Sequence, residues 1–293
     1  MECKKVILAA VDFGADTEKV LSYALWLSQA LGDGEGDNIT MLNAMDYALT
    51  PPAYLLPYID QEEESIGVEL KKWADMLKPY GATATGRIAV GRLLETFSKT
   101  ILELPVAALV LAHKSHLIRT SSSERLIKSL DISKLVVRGQ KAEGALLGAV
   151  NIRNILCAVD FSGHSGKALE FARSLSQKKS SALTVVHVLS SLKLEKSFDR
   201  LRNLSEEDKQ NYRNHAIQVA EKSICSTADI CDSAERIVRI GVPYKAVNEI
   251  AAEKNADLIV IGAQGVSSTK GVLLGSIAEA LVKSSPCPVM LVR

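Results

Sequence analysis

No stretch of this chain stays apolar for anything near the roughly 20 residues that a membrane-spanning helix needs. The longest candidates, such as residues 106–112, have the length of a buried strand. Net charge is almost absent as well. The 35 Lys and Arg against 34 Asp and Glu leave +1, so neither nucleic acid nor an acidic membrane surface would attract the protein strongly. Cysteine is scarce and odd in number, five in 293 residues. This excludes the paired framework of a small secreted domain and makes a reducing, cytoplasmic setting the expectation. Cys225 and Cys231 form the one close pair, without the two further ligands at matching spacing that zinc requires. No signal peptide is expected, because Met1-Glu2-Cys3-Lys4-Lys5 runs straight into a strand pattern. The serines carry no Gly-x-Ser-x-Gly elbow and no assignable base. No Gly-Lys-Ser or Gly-Lys-Thr closes a Walker loop. His187 lies in an apolar strand without a suitably spaced ligand partner and reads as a core histidine, while His164 and His215 read as isolated surface residues.

What is present is a globular composition, 47% apolar and 24% charged, with length enough for two domains. The chain repeats itself. Ile7, Leu8, Ala10, Val11, Asp12 and Phe13 match Ile155, Leu156, Ala158, Val159, Asp160 and Phe161. Lys19, Leu21, Ala24, Leu27, Ser28 and Gln29 match Lys167, Leu169, Ala172, Leu175, Ser176 and Gln177 at the same offset. A repeat of this length indicates two copies of one fold. The expected division is 1–141 and 152–293, with 142–151 in a Gly-rich segment as the linker.

Each copy alternates strand and helix. In the first, strands fall at 7–11, 39–43, 84–89, 108–111 and 135–137. In the second they fall at 155–159, 183–188, 235–240, 258–261 and 289–292. The first helix, 16–31, places Val20, Leu21, Ala24, Leu27, Ala30 and Leu31 at helical intervals. Near-continuous apolar strands between helices predict a parallel sheet covered on both faces. Ligands of such sheets sit beyond the carboxyl ends of the strands, where strand order switches. Asp160 and Gly262 end the first and fourth strands of the second copy, so they share a crevice if those strands are neighbours. A polar, helix-prone segment is expected at 205–226, and a long extended loop at 47–58.

The most informative stretch is 260–292. A strand turns through Gly262 and Gly265, crosses Ser267, Ser268, Thr269 and Lys270, and meets Gly275-Ser276 where a helix begins. Converging backbone N–H groups bind phosphate oxygens well. A Cβ obstructs that approach, and glycine also permits positive φ. A helix start adds free N–H groups and a favourable dipole, and Ser276 suits an N-cap. A row of turn glycines followed by a simple cap is the competing reading.

This Gly-x2-Gly-x9-Gly-Ser spacing, together with the order of elements, resembles a tandem universal stress protein over nearly all 293 residues. The resemblance implies an α/β fold of two tandem five-stranded, mainly parallel sheets with helices on both faces, Rossmann-like and adenine-nucleotide alpha-hydrolase-like. It implies ATP, or AMP or ADP, with Mg²⁺ as an associated ion. Ala158, Val159 and Asp160 would line the pocket, and Val188 would meet adenine through its backbone. Gly262 and Gly265, beside Ile261, would approach phosphates or ribose. Gly275 and Ser276, beside Ile277, would hold the phosphates. For Asp160 three roles stay open: contact with Mg²⁺ carried by ATP, a hydrogen bond to ribose, or acceptance of backbone N–H bonds at the turn. The implied function is ATP binding in the second domain and stress-response regulation through nucleotide-dependent binding of an unidentified protein partner. Nucleotide would order the loop 267–274. The final strands, 135–138 and 289–293, would pair the halves as a pseudo-dimer or build a homodimer. The alternatives are a slow ATP hydrolase, for which only Asp160 and Lys270 suggest themselves, and a nucleotide-free interaction module.

The first copy departs from the pattern. Ala112 stands where Gly262 stands, Ser115 where Gly265 stands, and Thr120-Ser121 falls at Gly275-Ser276 with a loop five residues shorter. No ATP site of the same kind is expected there. His113, Lys114, His116 and Arg119 make the region cationic, which suits either an anion contact or a solvated loop.

Overall fold

Two short strands anchor the architecture, β1 (Val6–Ala10) and β6 (Asn154–Ala158), and both bury their central residues completely or nearly so. Strands of that kind need helices over both faces. The computed structural model describes residues 5–32, 37–45, 56–113, 121–139, 142, 146–201, 204–226, 234–265 and 274–293. The chain divides into two compact units, 1–138 with 142–151, and 139–141 with 152–293. The segment 142–151, expected as a linker, therefore packs with the first unit, where Ala142 and Leu147 are buried.

In the first unit β1 is followed by α1 (Thr17–Leu31), β2 (Asp37–Met45), α2 (Leu56–Leu77), β3 (Ala82–Val90), α3 (Leu93–Glu103), β4 (Val106–Ala112), α4 (Ser122–Ser129) and β5 (Lys134–Val137). Its strands are parallel in the order β3-β2-β1-β4-β5. In the second unit β6 is followed by α5 (Gly163–Lys179), β7 (Ala182–Ser190), α6 (Ser191–Arg200), α7 (Glu206–Ser226), β8 (Ala234–Gly241), α8 (Pro243–Glu253), β9 (Leu258–Gly262), α9 (Ser276–Ser284) and β10 (Val289–Val292). Its order is β8-β7-β6-β9-β10, again parallel. In each unit the chain builds outward from its first strand to one side, then returns to build the other. The switch lies between the first and fourth strands, so the crevice anticipated there exists twice.

Several elements show why these residues fold as they do. Helix α1 is buried almost all round, which requires its serines to be satisfied internally. The Ser22 hydroxyl donates to Glu18 O at 2.7 Å and that of Ser28 to Leu25 O at 2.9 Å. Helix α7 opens on a reciprocal cap. Ser205 Oγ accepts from Asp208 N at 3.1 Å while Asp208 Oδ2 accepts from Ser205 N at 3.1 Å. Lys134 is 1% exposed, and its ammonium donates to Leu130 O at 2.5 Å and Ile132 O at 3.0 Å, closing the carboxyl end of α4.

One element went unread in the sequence and one reading needs correction. Residues 191–200 form α6, whose buried anchors Leu194 and Phe198 stand one helical turn apart. Leu56 begins α2 rather than continuing an extended loop; residues 46–55 of that loop lie outside the described residues. Among the described residues no helix is long and apolar enough to cross a membrane.

Candidate functional site

The crevice of the second unit is built by the ends of β6, β7 and β9 and the starts of α5, α8 and α9. Beyond β6 the ladder continues for one bond, Val159 N to Val186 O at 2.9 Å. Asp160 then turns the chain, its Oδ1 accepting from Ser162 N at 3.1 Å. Phe161 takes φ 63° to make that turn. Ser162 caps α5 by accepting from Ser165 N at 3.2 Å, and the Ser165 hydroxyl donates back to Ser162 O at 3.0 Å. Of the three roles open for Asp160, holding the turn is present in the structure. The first unit does the same, with Asp12 Oδ1 accepting from Gly14 N at 3.0 Å and Phe13 at φ 53°.

His187, read from the sequence as a core residue, is half-buried and hydrogen-bonded at the edge of the crevice. Its Nδ1 lies 2.8 Å from Val159 O, and its ring centroid lies 4.5 Å from that of Phe161. Asn43 takes this place in the first unit, its Nδ2 donating to Val11 O at 3.0 Å.

On the opposite wall β9 ends at Gly262, and the chain leaves through Ala263, whose amide donates to Val292 O at 2.9 Å. When it returns, Gly275 N donates to Ala263 O at 2.8 Å. Gly275, at φ −73° and ψ 152°, is the N-cap of α9 and makes no side-chain cap. Ser276 is therefore the first helical residue, not the cap expected from its type. The bond from Glu279 N to Gly275 O at 2.9 Å opens the helical ladder. The amides of Ser276, Ile277 and Ala278 precede it and have no acceptor within the helix.

The glycines serve close approach rather than positive φ. None of Gly262, Gly265 and Gly275 has φ in the left-handed region. A Cβ on Gly262 would stand 2.8 Å from His164 C and 2.9 Å from His164 O, so this glycine lets α5 sit against the strand end. A Cβ on Gly265 would meet Asp160 Oδ2 at 2.5 Å. At Gly275 the nearest atoms are 3.5 Å away, an ordinary contact.

These walls enclose a cavity of about 240 Å³. The residues given a pocket role by the resemblance line it: Ala158, Val159, Asp160 and Val188 on one side, Ile261, Gly262, Gly265, Gly275, Ser276 and Ile277 on the other. Sequence reasoning missed Gln264, Val186 and the apolar face of α8, Pro243 and Val247. The last two had a signal, a proline opening a helix with an apolar residue one turn on. Ser267, Ser268, Thr269 and Lys270 lie outside the described residues. Cys157 lies in β6 just before Ala158, fully buried, and burial pushes its thiol up to about 12, so it supplies no nucleophile. Among the described residues no group of three or more His, Cys, Asp or Glu is placed to hold a metal ion by itself.

The equivalent crevice of the first unit is closed differently. Helix α4 is capped by Ser121, whose hydroxyl accepts from Glu124 N at 3.2 Å. Ser121 thus matches Gly275, one position later than the sequence alignment places it. Thirteen positions separate Gly262 from Gly275 and nine separate Ala112 from Ser121, so the first loop is four residues shorter rather than five. Lys114, Ser115, His116, Arg119 and Thr120 lie outside the described residues.

A model of the universal stress protein family matches residues 151–293. Universal stress protein YxiE of Bacillus subtilis is 32% identical over an alignment of 152 residues that covers 47% of this chain and 97% of that relative. This chain belongs to the universal stress protein family. Among solved structures, a universal stress protein from Archaeoglobus fulgidus matches with a TM-score of 0.68 at 20% identity, covering 98% of each chain. A functionally unknown protein from Pseudomonas aeruginosa matches with a TM-score of 0.61 at 13% identity, covering 99% of this chain and 92% of that one. At such identities the likeness is one of fold, and it runs the length of both units. The universal stress protein family model falls on the unit that holds the glycine-walled cavity.

Proposed function

We propose that this universal stress protein binds an adenine nucleotide, ATP foremost, in the cavity of its second unit, and acts through binding rather than turnover. One observation carries the reading. Three helix-start amides, those of Ser276, Ile277 and Ala278, belong to residues lining a cavity whose wall beside them has no side chain at Gly265 and Gly275. Such amides and the helix dipole favour an anion. Val186 uses its carbonyl toward β6, and strand alternation turns the N–H and C=O of Val188 to the same side, past the end of β6. That leaves a backbone edge for the base, while Pro243 and Val247 give it an apolar wall.

The donor set fits Mg²⁺ arriving with the phosphates. That ion commonly takes one or two carboxylates plus phosphate oxygens and waters, and Asp160 is the carboxylate on the cavity wall. Asp160 Oδ1 holds the Ser162 amide, which ties this carboxylate to the turn. Among the described residues the cavity lining offers no cationic side chain to stabilise charge at a γ-phosphate, which favours the binding role over a slow ATPase. The first unit is, on this reading, a second universal stress protein domain with a degenerate loop, and the protein is cytoplasmic and regulatory in the stress response. Nucleotide occupancy would alter a surface that a protein partner reads. Pairing of the domains and assembly into a homodimer are carried by the family resemblance alone; sedimentation tests the latter.

Mass spectrometry of the gently purified protein, followed by calorimetric titration with ATP and Mg²⁺, tests the proposal. Co-purified ATP, ADP or AMP, or saturable binding of ATP to one site, is the expected result. A chain that carries no nucleotide and takes up none is an interaction module instead.

A further inference from the structure

We propose that the cavity of the first unit is a second ligand site, one for a phosphate-free molecule that carries hydroxyl or amine groups on an apolar ring, the chemistry of a nucleoside. The cavity lies at the carboxyl ends of β1, β2 and β4 and encloses about 480 Å³, twice the volume of its counterpart. The observation that points to a ligand is Thr17. It lines this cavity and is 2% exposed, yet among the described residues its hydroxyl has no hydrogen-bond partner. A buried hydroxyl without a partner is destabilising, and native folds rarely retain one. The second unit shows how the same position is satisfied when nothing further is asked of it. Ser165, at the repeat offset of Thr17, lines the other cavity while donating to Ser162 O at 3.0 Å. In the first unit the carbonyl at the matching position, Gly14 O, accepts the Thr17 backbone amide at 3.1 Å and not the Thr17 hydroxyl.

The rest of the lining excludes polyphosphate. The start of α4, unlike that of α9, spends an amide on its own cap, Glu124 N to Ser121 Oγ. Asp12 and Asp16 add carboxylates to the wall, with Lys19 answering Asp16 at 3.2 Å. Hydroxyls from Ser121 and Ser123 and an apolar wall of Leu42, Leu93 and Phe97 complete a surface that suits a ring bearing uncharged polar groups. The choice of a nucleoside rests on the nucleotide reading of the second unit; the existence of the site does not.

The test is titration of adenosine into the full chain held at saturating ATP and Mg²⁺, and again without ATP, for the unmodified protein and Thr17→Val. One adenosine should bind in the presence of ATP. The valine should weaken it by about tenfold, the worth of one hydrogen bond, while raising the melting temperature of the ligand-free protein because the unsatisfied hydroxyl is gone. Thr17 lies outside the second cavity, so failure of ATP to bind would count against the nucleotide reading and leave this comparison intact. Equal adenosine affinity in the two proteins, no adenosine binding under either condition, or displacement by ATP of the Thr17-dependent adenosine would each overturn the proposal. If Thr17→Val fails to fold, Ala44→Leu narrows the same cavity, and adenosine affinity unchanged by it overturns the proposal equally.

Discussion

Replacing Gly275 with alanine separates the cost to the fold from the cost to a ligand. The backbone there, φ −73° and ψ 152°, is one that alanine adopts freely. The new Cβ would meet Ala263 O and Gly265 N at 3.5 Å, and Gln264 Cα at 3.6 Å, all ordinary contacts. Restricting the unfolded chain stabilises by about 0.4–1 kcal/mol, and alanine is a poorer N-cap than glycine by a similar amount. The two nearly cancel, so the melting temperature of the variant should stay within about 4 °C of the parent. Binding should respond quite differently. A methyl group beside the amides of α9 holds a phosphate oxygen away from at least one of them. A hydrogen bond to a charged group contributes about 1.5–3 kcal/mol, so ATP should bind about ten- to 150-fold more weakly. Gly262→Ala is the contrasting variant, because its Cβ would press on the His164 backbone at 2.8 Å. Overpacking of that kind costs about 1–3 kcal/mol in stability. Calorimetry with ATP and thermal melts of both variants give the comparison. Parental ATP affinity in Gly275→Ala, with a parental melting curve, would refute the role assigned to these amides.

Other consequences can be checked on the ligand-free chain. Lys134→Met removes the donor that serves two carbonyls behind α4; each group left bare costs about 1–3 kcal/mol, and the urea midpoint should fall accordingly, an unchanged midpoint ruling out the structural role given to this buried cation. Cys157 has its thiol raised from 9.0 to about 12 by burial. It should resist alkylation at pH 8 until the protein unfolds, as peptide mapping would show. Its unfolded form ionises first, so stability should decline as pH rises from about 9 toward 12, more steeply than in Cys157→Ala. Asp208 is held below the ordinary carboxylate range by its hydrogen bonds from the Ser205 hydroxyl and backbone amide. Its contribution is present above that range and lost as pH falls through the folded value. Acidification should thus weaken the start of α7 in the parent more than in Asp208→Asn, read by amide exchange near residue 208.

The sequence disclosed most where a residue type has one physical purpose. Continuous apolar runs such as 258–261 have to be strands covered on both faces, and the repeat of Ile155 through Phe161 doubled the fold without further information. The glycines marked the crevice, and Ile261, Gly262, Gly265, Gly275, Ser276 and Ile277 from that stretch meet in one cavity. Of the two reasons read for them, close approach holds and positive φ does not, because spacing cannot distinguish a glycine needed for φ from one needed for a neighbour. His164 and Asp160 lie close in sequence to each other and far from Gly262 and Gly265, and only the paired strands bring them into contact. Helix α6 escaped notice because it is short and follows β7 without a break, although Leu194 and Phe198 stand one helical turn apart. Thr17 was invisible for a different reason. A threonine one residue into a helix is unremarked until its hydroxyl proves to lack the carbonyl bond that Ser165 makes.

The contact of Gly262 with His164 also limits how the second unit can answer a ligand. Helix α5 already lies so near the strand end that one added carbon would collide with its main chain. That side is a hard stop and cannot close further. Among the described elements, inward movement on filling the cavity falls to α8 and α9, so the outer faces of those two helices are where occupancy would become visible from outside.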